Sequence, residues 1–166
     1  MDKNDTIYLA CSRALKIKSM GYNCAQACLG GLSSCLELDE GYAMKLMAAF
    51  GGGMRHQQLC GAVVGAGIAL GLVFGSTQAD AKADDRIGAL TVGFINKFTE
   101  KFGTTTCGQL LTNKTETFYW DMPSDIGFKN DGDNQYGNAF NLKAPICGLA
   151  ISSAVRFALE IIQKVR

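Results

Sequence analysis

A stretch of seventeen residues, LCGAVVGAGIALGLVFG at 59–75, constrains the fold more than any other part of the sequence. It contains no charged residue, and its only polar side chain is the thiol of Cys60. The length lies at the bottom of the range of about 17–25 residues that spans a bilayer. No Trp, Lys or Arg adjoins the stretch as an interfacial anchor. Because the segments around it are amphipathic, the pattern predicts a buried core helix and no membrane insertion.

Glycines recur along this stretch, mostly four residues apart. In a membrane such spacing serves helix pairing, and in a helical bundle it lets neighbouring helices approach closely. We therefore expect the glycines to be contact points for the surrounding helices. They are Gly61, Gly65, Gly67, Gly71 and Gly75.

Apolar residues recur at helical spacing along most of the remaining chain, which contains only two prolines. This pattern predicts an all-α protein, with a compact helical bundle around the glycine-rich helix and a single domain over residues 1–166. Asn23 and Asp39 are well suited to cap two of the helices. The predicted helices are 5–19, 24–36, 40–50, 59–75, 84–102 and 145–164, with a short helix near Cys107.

Two segments interrupt the helical pattern. FGGGM at 50–54 has three consecutive glycines, which suit a tight turn or a close approach of two backbones. The segment near 112–144 is rich in Asn, Asp and Gly and contains the only tryptophan, so it predicts one long irregular loop. Such loops often act as lids or binding loops, and an inert packed insertion is the alternative.

The charge composition restricts partners and compartment. The 16 basic and 15 acidic residues are scattered, so we expect no nucleic acid partner. Charged residues make up 19% of the chain, below the roughly 25% of a typical soluble domain, which is compatible with a homodimer. The first twenty residues lack the apolar core and cleavage site of a signal peptide, so we expect a cytoplasmic protein.

Seven cysteines are a high and odd number for such a chain. In a reducing compartment, metal binding or redox chemistry is a better interpretation than structural disulfides. Four cysteines fall in the first turn of a predicted helix, where unpaired N–H groups and the helix dipole favour the thiolate. These four are Cys24, Cys60, Cys107 and Cys147.

The other cysteines, Cys11, Cys28 and Cys35, lie inside predicted helices on apolar faces, so we interpret them as small buried hydrophobic residues. Cys28 follows Cys24 by one helical turn and is a candidate to join the same site. His56 is the only histidine. It is a candidate ligand or proton donor, although an exposed loop residue is the simpler interpretation.

Five motifs occur in a fixed order: GYNCAQA at 21–27, FGGGM at 50–54, CGAVVG at 60–65, CGQLL at 107–111 and a further cysteine at 147. With them, nearly the whole chain resembles the family of redox-active proteins named for its C_GCAxxG_C_C pattern. The four hallmark cysteines of that pattern match Cys24, Cys60, Cys107 and Cys147. The resemblance implies redox activity at these residues. A similar arrangement occurs in split-Soret cytochromes, where a [2Fe–2S] cluster has been suggested, but this chain has no CxxCH motif for covalent haem.

Three functions are open at this point, all at the same four cysteines. Four thiolates suit an iron–sulfur cluster, and the first hypothesis is electron transfer to an unknown redox partner. The second is a metal-free thiol–disulfide oxidoreductase that uses pairs of these cysteines. The third is a zinc-stabilised binding module without enzymatic activity. Cys24, Cys60, Cys107 and Cys147 are thus the predicted catalytic, cofactor-binding and metal-binding residues, for redox chemistry and not for hydrolysis or group transfer.

Overall fold

Seven α-helices account for most of the residues that the computed structural model describes, 2–112 and 144–165. Within these residues the only extended pairing is an isolated antiparallel bridge between Leu59 and Thr106. The all-α prediction is confirmed, and the predicted irregular loop near 112–144 lies almost entirely outside the described residues. The helices are α1 (Lys3–Ser19), α2 (Cys24–Leu32), α3 (Glu40–Leu46), α4 (Gly61–Phe74), α5 (Ala81–Phe102), α6 (Cys107–Thr112) and α7 (Ala144–Val165).

Helix α4 lies at the centre of the bundle and packs against α2, α5 and α7, while α1 covers α2 and α7. Its small side chains are buried against these neighbours, as expected for a core helix without a polar face. Helix α5 is amphipathic and buries three phenylalanines, each one turn after the last: Phe94, Phe98 and Phe102. The prediction of a glycine-rich central helix is confirmed.

The glycines of the central helix divide into two groups. A Cβ on Gly61 would lie 2.9 Å from the carbonyl oxygen of Phe50, and one on Gly65 would lie 2.9 Å from the Cβ of Cys28. Both glycines therefore let another backbone come close. A Cβ on Gly67 or Gly71 would meet nothing within 4 Å. The prediction that these two are helix contacts is wrong, because no described residue of another helix comes close to the position that a Cβ would take there.

Several helix boundaries differ from the predicted ones for local reasons. Helix α5 begins three residues earlier than predicted, because the carboxylate of Asp80 caps it by accepting hydrogen bonds from Lys82 and Ala83. The predicted helices 24–36 and 40–50 each end in a tighter 3₁₀ turn, Ser33–Leu36 and Ala48–Phe50.

Helix α7 is the described helix that is long and apolar enough to cross a membrane, over Ile146–Val165. The bundle buries 61% of that window, and a buried core helix has the same length and composition. The shorter α4, which raised the membrane question in the sequence, has only 14 residues. The absence of membrane insertion stays a prediction.

Candidate functional site

The four predicted cysteines line one cleft, which lies where the first turns of α2, α4, α6 and α7 meet. We call it the cysteine cleft. It contains about 290 Å³ of space, part of which is open to solvent. Apart from the thiols, its described lining consists of glycines and aliphatic side chains, so its chemistry is that of sulfur. The lining residues are Cys24, Gly52, Cys60, Gly61, Cys107, Leu110, Leu111, Ile146, Cys147 and Ala150.

Each cysteine of the cleft stands at the start of a helix, as predicted. Cys24 and Cys107 are the first residues of α2 and α6. Cys60 immediately precedes α4, and Cys147 is in the first turn of α7. Four helix starts from distant parts of the chain thus converge, and they bring together thiols that the sequence separates widely.

Cys24 and Cys147 form a hydrogen-bonded pair of thiols. Because the Cys147 thiol donates to the Cys24 sulfur, it stabilises the Cys24 thiolate and lowers the pKa of Cys24 to about 6, although burial acts in the opposite direction. The pKa of Cys147 is raised well above its ordinary value, because a proton would have to leave a buried thiol beside a thiolate. The pair therefore gives up its first proton easily and holds the second.

A lysine that the sequence analysis missed also acts on this pair. The half-buried Lys18, near the end of α1, donates a hydrogen bond from Nζ to the carbonyl oxygen of Tyr22 at 3.2 Å. Its positive charge lowers the pKa of both Cys24 and Cys147. No local pattern marks it, because the proximity arises from the turn between α1 and α2.

Cys60 and Cys107 belong to two segments that are joined by the bridge between Leu59 and Thr106. The Cys60 N–H donates to the carbonyl oxygen of Thr105 at 2.8 Å, and the Cys107 N–H donates to that of Gln58 at 2.6 Å. These hydrogen bonds fix the backbone on both sides of the bridge. They hold the wall of the cleft that contains Cys60 and Cys107.

Burial raises the pKa of Cys60 to about 12, so this thiol is protonated at neutral pH. The N–H groups of Ala62 and Val63, at the start of α4, act in the opposite direction and are outweighed. The start of α4 thus acts on Cys60 in the predicted direction, but burial outweighs it and the thiolate is not favoured overall. The dipole of a helix is a smaller effect than removal of a thiolate from water.

The glycine run before the cleft forms a left-handed turn. Gly52, Gly53, Met54 and Arg55 have φ angles of 61°, 60°, 58° and 61°, a conformation that costs a residue with a side chain about 1–2 kcal/mol. A Cβ on Gly53 would lie 2.9 Å from the Cβ of Cys107, so only a glycine lets the turn approach this cysteine. The tight turn and the close backbone approach predicted for FGGGM are both present.

The remaining sulfur and imidazole groups do not line the cleft. Cys28 is buried behind Gly65, and burial raises its pKa. Cys11 is also buried and donates its S–H to the carbonyl oxygen of Ser152 at 3.3 Å. Cys35 is half-buried and packs against the core. His56 is exposed on the left-handed turn, in agreement with the simpler interpretation of this residue.

The donor set and the geometry of the cleft differ in how well they suit a metal. Four thiols match an iron–sulfur cluster or a zinc site in number and type. Among the described residues, however, no three His, Cys, Asp or Glu side chains are grouped closely enough to hold a metal ion. A metal centre would therefore require the cysteine side chains of the cleft to be arranged differently.

Comparison with known proteins agrees with the four-cysteine pattern. A family model described as "Putative redox-active protein (C_GCAxxG_C_C)" matches residues 22–161. The match begins just before Cys24 and extends beyond Cys147, so it contains the whole described lining of the cysteine cleft. Neither a curated protein nor a solved structure matches the chain.

Proposed function

The chain belongs to the C_GCAxxG_C_C family of redox-active proteins, and on this basis we propose that it carries out thiol–disulfide redox chemistry with Cys24 and Cys147 as the reversible couple. The observation that carries the proposal is the position of Cys24 and Cys147 on the same cleft, where the hydrogen bond between the two sulfurs favours one thiolate beside one thiol. An attacking thiolate with an adjacent resolving thiol is what such an exchange requires.

The reaction follows from the protonation of the pair. The Cys24 thiolate attacks one sulfur of a substrate disulfide, forms a mixed disulfide and expels the other half of the substrate as a thiolate. The Cys147 thiol then gives its proton to that leaving thiolate and attacks Cys24 Sγ. The Cys24–Cys147 disulfide forms and the second half of the substrate leaves as a thiolate. The two cysteines lose two electrons, and the substrate disulfide gains them.

The cleft supports this chemistry in two ways. Its aliphatic lining, which includes Leu110, Leu111 and Ile146, limits the access of water to the mixed disulfide. The described lining contains no carboxylate or imidazole that would serve a hydrolase, so sulfur is the only reactive element present. The substrate or partner is accordingly a molecule that has a disulfide.

The proposal is tested by counting free thiols before and after mild oxidation with oxidised glutathione. The wild-type protein should lose two of its seven thiols, and dithiothreitol should restore them. Cys24→Ser and Cys147→Ser should each abolish this reversible loss. Cys35→Ser, a matched control at a half-buried cysteine outside the cleft, should leave it unchanged. The proposal fails if the two cleft variants still lose a pair of thiols as the wild type does.

An iron–sulfur cluster held by Cys24, Cys60, Cys107 and Cys147 is the second candidate. It is favoured by the position of all four thiols on one largely apolar cleft. When bound, a cluster would supply one-electron transfer, and the N–H groups of α4 that point to the Cys60 sulfur would influence its potential. Anaerobic reconstitution with iron and sulfide should then give visible absorption that dithionite bleaches. One zinc per chain without such absorption would instead indicate a zinc-stabilised module.

A further inference from the structure

We infer that Asn23 is a positioning residue for the Cys24–Cys147 couple, because its side chain joins the helix start that holds Cys24 to the segment that leads to Gly52 in the cleft lining. This inference rests on the proposed function, since the couple is what the positioning serves. The asparagine uses both ends of its amide for this purpose.

The oxygen end of the amide fixes the first turn of α2. Asn23 Oδ1 accepts hydrogen bonds from the N–H groups of Ala25 and Gln26, each at 3.0 Å. In return, Gln26 Oε1 accepts from the Asn23 N–H at 3.2 Å, which completes a capping box. Cys24 lies between the cap and these two donors, so its backbone has little freedom.

The nitrogen end of the amide binds a different segment. Asn23 Nδ2 donates to the carbonyl oxygen of Ala48 at 3.0 Å and is 3.4 Å from that of Met47. The next residues also lie directly against Asn23, since a Cβ on Gly51 would be 2.5 Å from the Asn23 Cβ. Gly51 has an ordinary φ of −66°, so the contact with Asn23, and not backbone strain, is what excludes a side chain there.

The two contacts connect two parts of the cleft lining. Gly52, which follows Gly51, lines the cleft, and Gly53 touches Cys107. A helix cap needs only an acceptor, and aspartate would supply one equally well. An amide supplies the acceptor for α2 and, on a second atom, a donor for the carbonyl oxygens of residues 47 and 48, whereas a carboxylate has no donor. The choice of asparagine thus has a reason beyond helix capping.

Asn23→Asp separates the two roles. The carboxylate keeps the cap of α2 but has no donor, and it would face the carbonyl oxygens of Ala48 and Met47. The first turn of α2 or the segment before Gly52 must then move. We measure the equilibrium of the Cys24–Cys147 disulfide with reduced and oxidised glutathione and expect the equilibrium constant to fall about tenfold, because disulfide formation depends steeply on thiol geometry.

Two further variants make the experiment decisive. Gly51→Ala introduces no charge but forces the same two segments apart. It should cause a similar fall in the equilibrium constant, which distinguishes an effect of geometry from an effect of the charge of the aspartate. Asp80→Ala removes the cap of α5, away from the cleft, and should leave the equilibrium constant unchanged while it lowers thermal stability. If Asn23→Asp and Gly51→Ala both keep the wild-type equilibrium constant, the positioning role of Asn23 is overturned, but the proposed couple is not. Absence of the disulfide in the wild type would overturn the proposed couple and this inference with it.

Discussion

The Cys147 thiol donates a hydrogen bond to the sulfur of Cys24, although the two residues come from the last and the second helix of the chain. This contact depends on the packing of α7 against α2. It favours one thiolate and one thiol side by side, and the redox reactivity that we propose for the cleft follows from that asymmetry.

The first prediction concerns the pH dependence of Cys24. Its pKa of about 6 lies below the ordinary range, so at neutral pH the group is mostly thiolate and reacts with iodoacetamide. The rate of alkylation should rise with pH around 6 and level off before pH 8. Cys147→Ala removes the hydrogen-bond donor and should move this midpoint upward. Alkylation is followed by mass spectrometry of the tryptic peptide 19–45. Equal midpoints in both proteins would show that the hydrogen bond does not control the thiolate.

The second prediction concerns Lys18. Its charge lowers the pKa of Cys24, so Lys18→Gln should raise that pKa and slow alkylation between pH 6 and 7. Lys16→Gln removes an exposed lysine from the same helix and should behave as the wild type. Stopped-flow alkylation measures the rate for each variant at low and at high salt. High salt should reduce the difference in rate between Lys18→Gln and the wild type, because it screens the charge of the lysine. If Cys24 is alkylated as slowly in Lys16→Gln as in Lys18→Gln, the net charge of the protein, and not the proximity of Lys18, lowers the pKa of Cys24.

The third prediction concerns the left-handed turn. Gly53→Ala introduces a residue with an unfavourable φ of 60°, and its Cβ would lie 2.5 Å from the backbone nitrogen of Gln58. We expect a loss of about 2–3 kcal/mol in the free energy of unfolding, part from the strained φ and part from overpacking.

Gly103→Ala is the matched control for this variant. It also has a positive φ, of 74°, but its Cβ would meet nothing within 4 Å. It should lose only the backbone contribution, about 1 kcal/mol. Urea denaturation of the two variants compares them directly. Equal losses in the free energy of unfolding would show that the close approach of Gly53 to Gln58 and Cys107 does not affect stability.

The fourth prediction concerns the contact between α2 and α4. Gly65→Ala would place a Cβ 2.9 Å from the Cβ of Cys28 and 3.0 Å from the carbonyl oxygen of Ala25, so α4 must move away from α2. We expect a destabilisation of about 1–3 kcal/mol. Gly67→Ala, in the same helix but facing open space, should stabilise the fold by about 0.5–1 kcal/mol through its higher helix propensity. Thermal unfolding curves of the two variants measure these changes in stability. A Gly65→Ala protein that is more stable than the wild type would contradict the close packing of α4 against α2.

The sequence predicts the helices and the cysteines at their starts because both depend on local patterns. Apolar periodicity marks α5, and Asn23 marks the start of α2 through its capping chemistry. The three glycines of FGGGM indicate close backbone approach, since few other residues tolerate it. These signals are contained in a few neighbouring residues, so they can be recognised without the tertiary structure.

Other properties of the site depend on contacts between distant segments and have no local signal. The sequence does not predict which cysteine is a thiolate, because burial of Cys60 outweighs its helix start while Cys147 stabilises Cys24. It does not predict the proximity of Lys18 either. It also treats all glycines of α4 alike, although Gly65 touches α2 and Gly67 faces open space.

The central claim is that Cys24 and Cys147 form a reversible two-electron couple, and a redox titration with peptide mapping tests it most directly. The protein is equilibrated at a series of glutathione ratios, alkylated and digested with trypsin, which places Cys147 in peptide 144–156 and Cys24 in peptide 19–45. The account predicts one transition in which these two peptides become linked through Cys24. The ratio of disulfide to dithiol protein should change tenfold for every 30 mV or so in the potential of the glutathione buffer. Seven free thiols at every ratio, or a link that excludes Cys24 or Cys147, would contradict it.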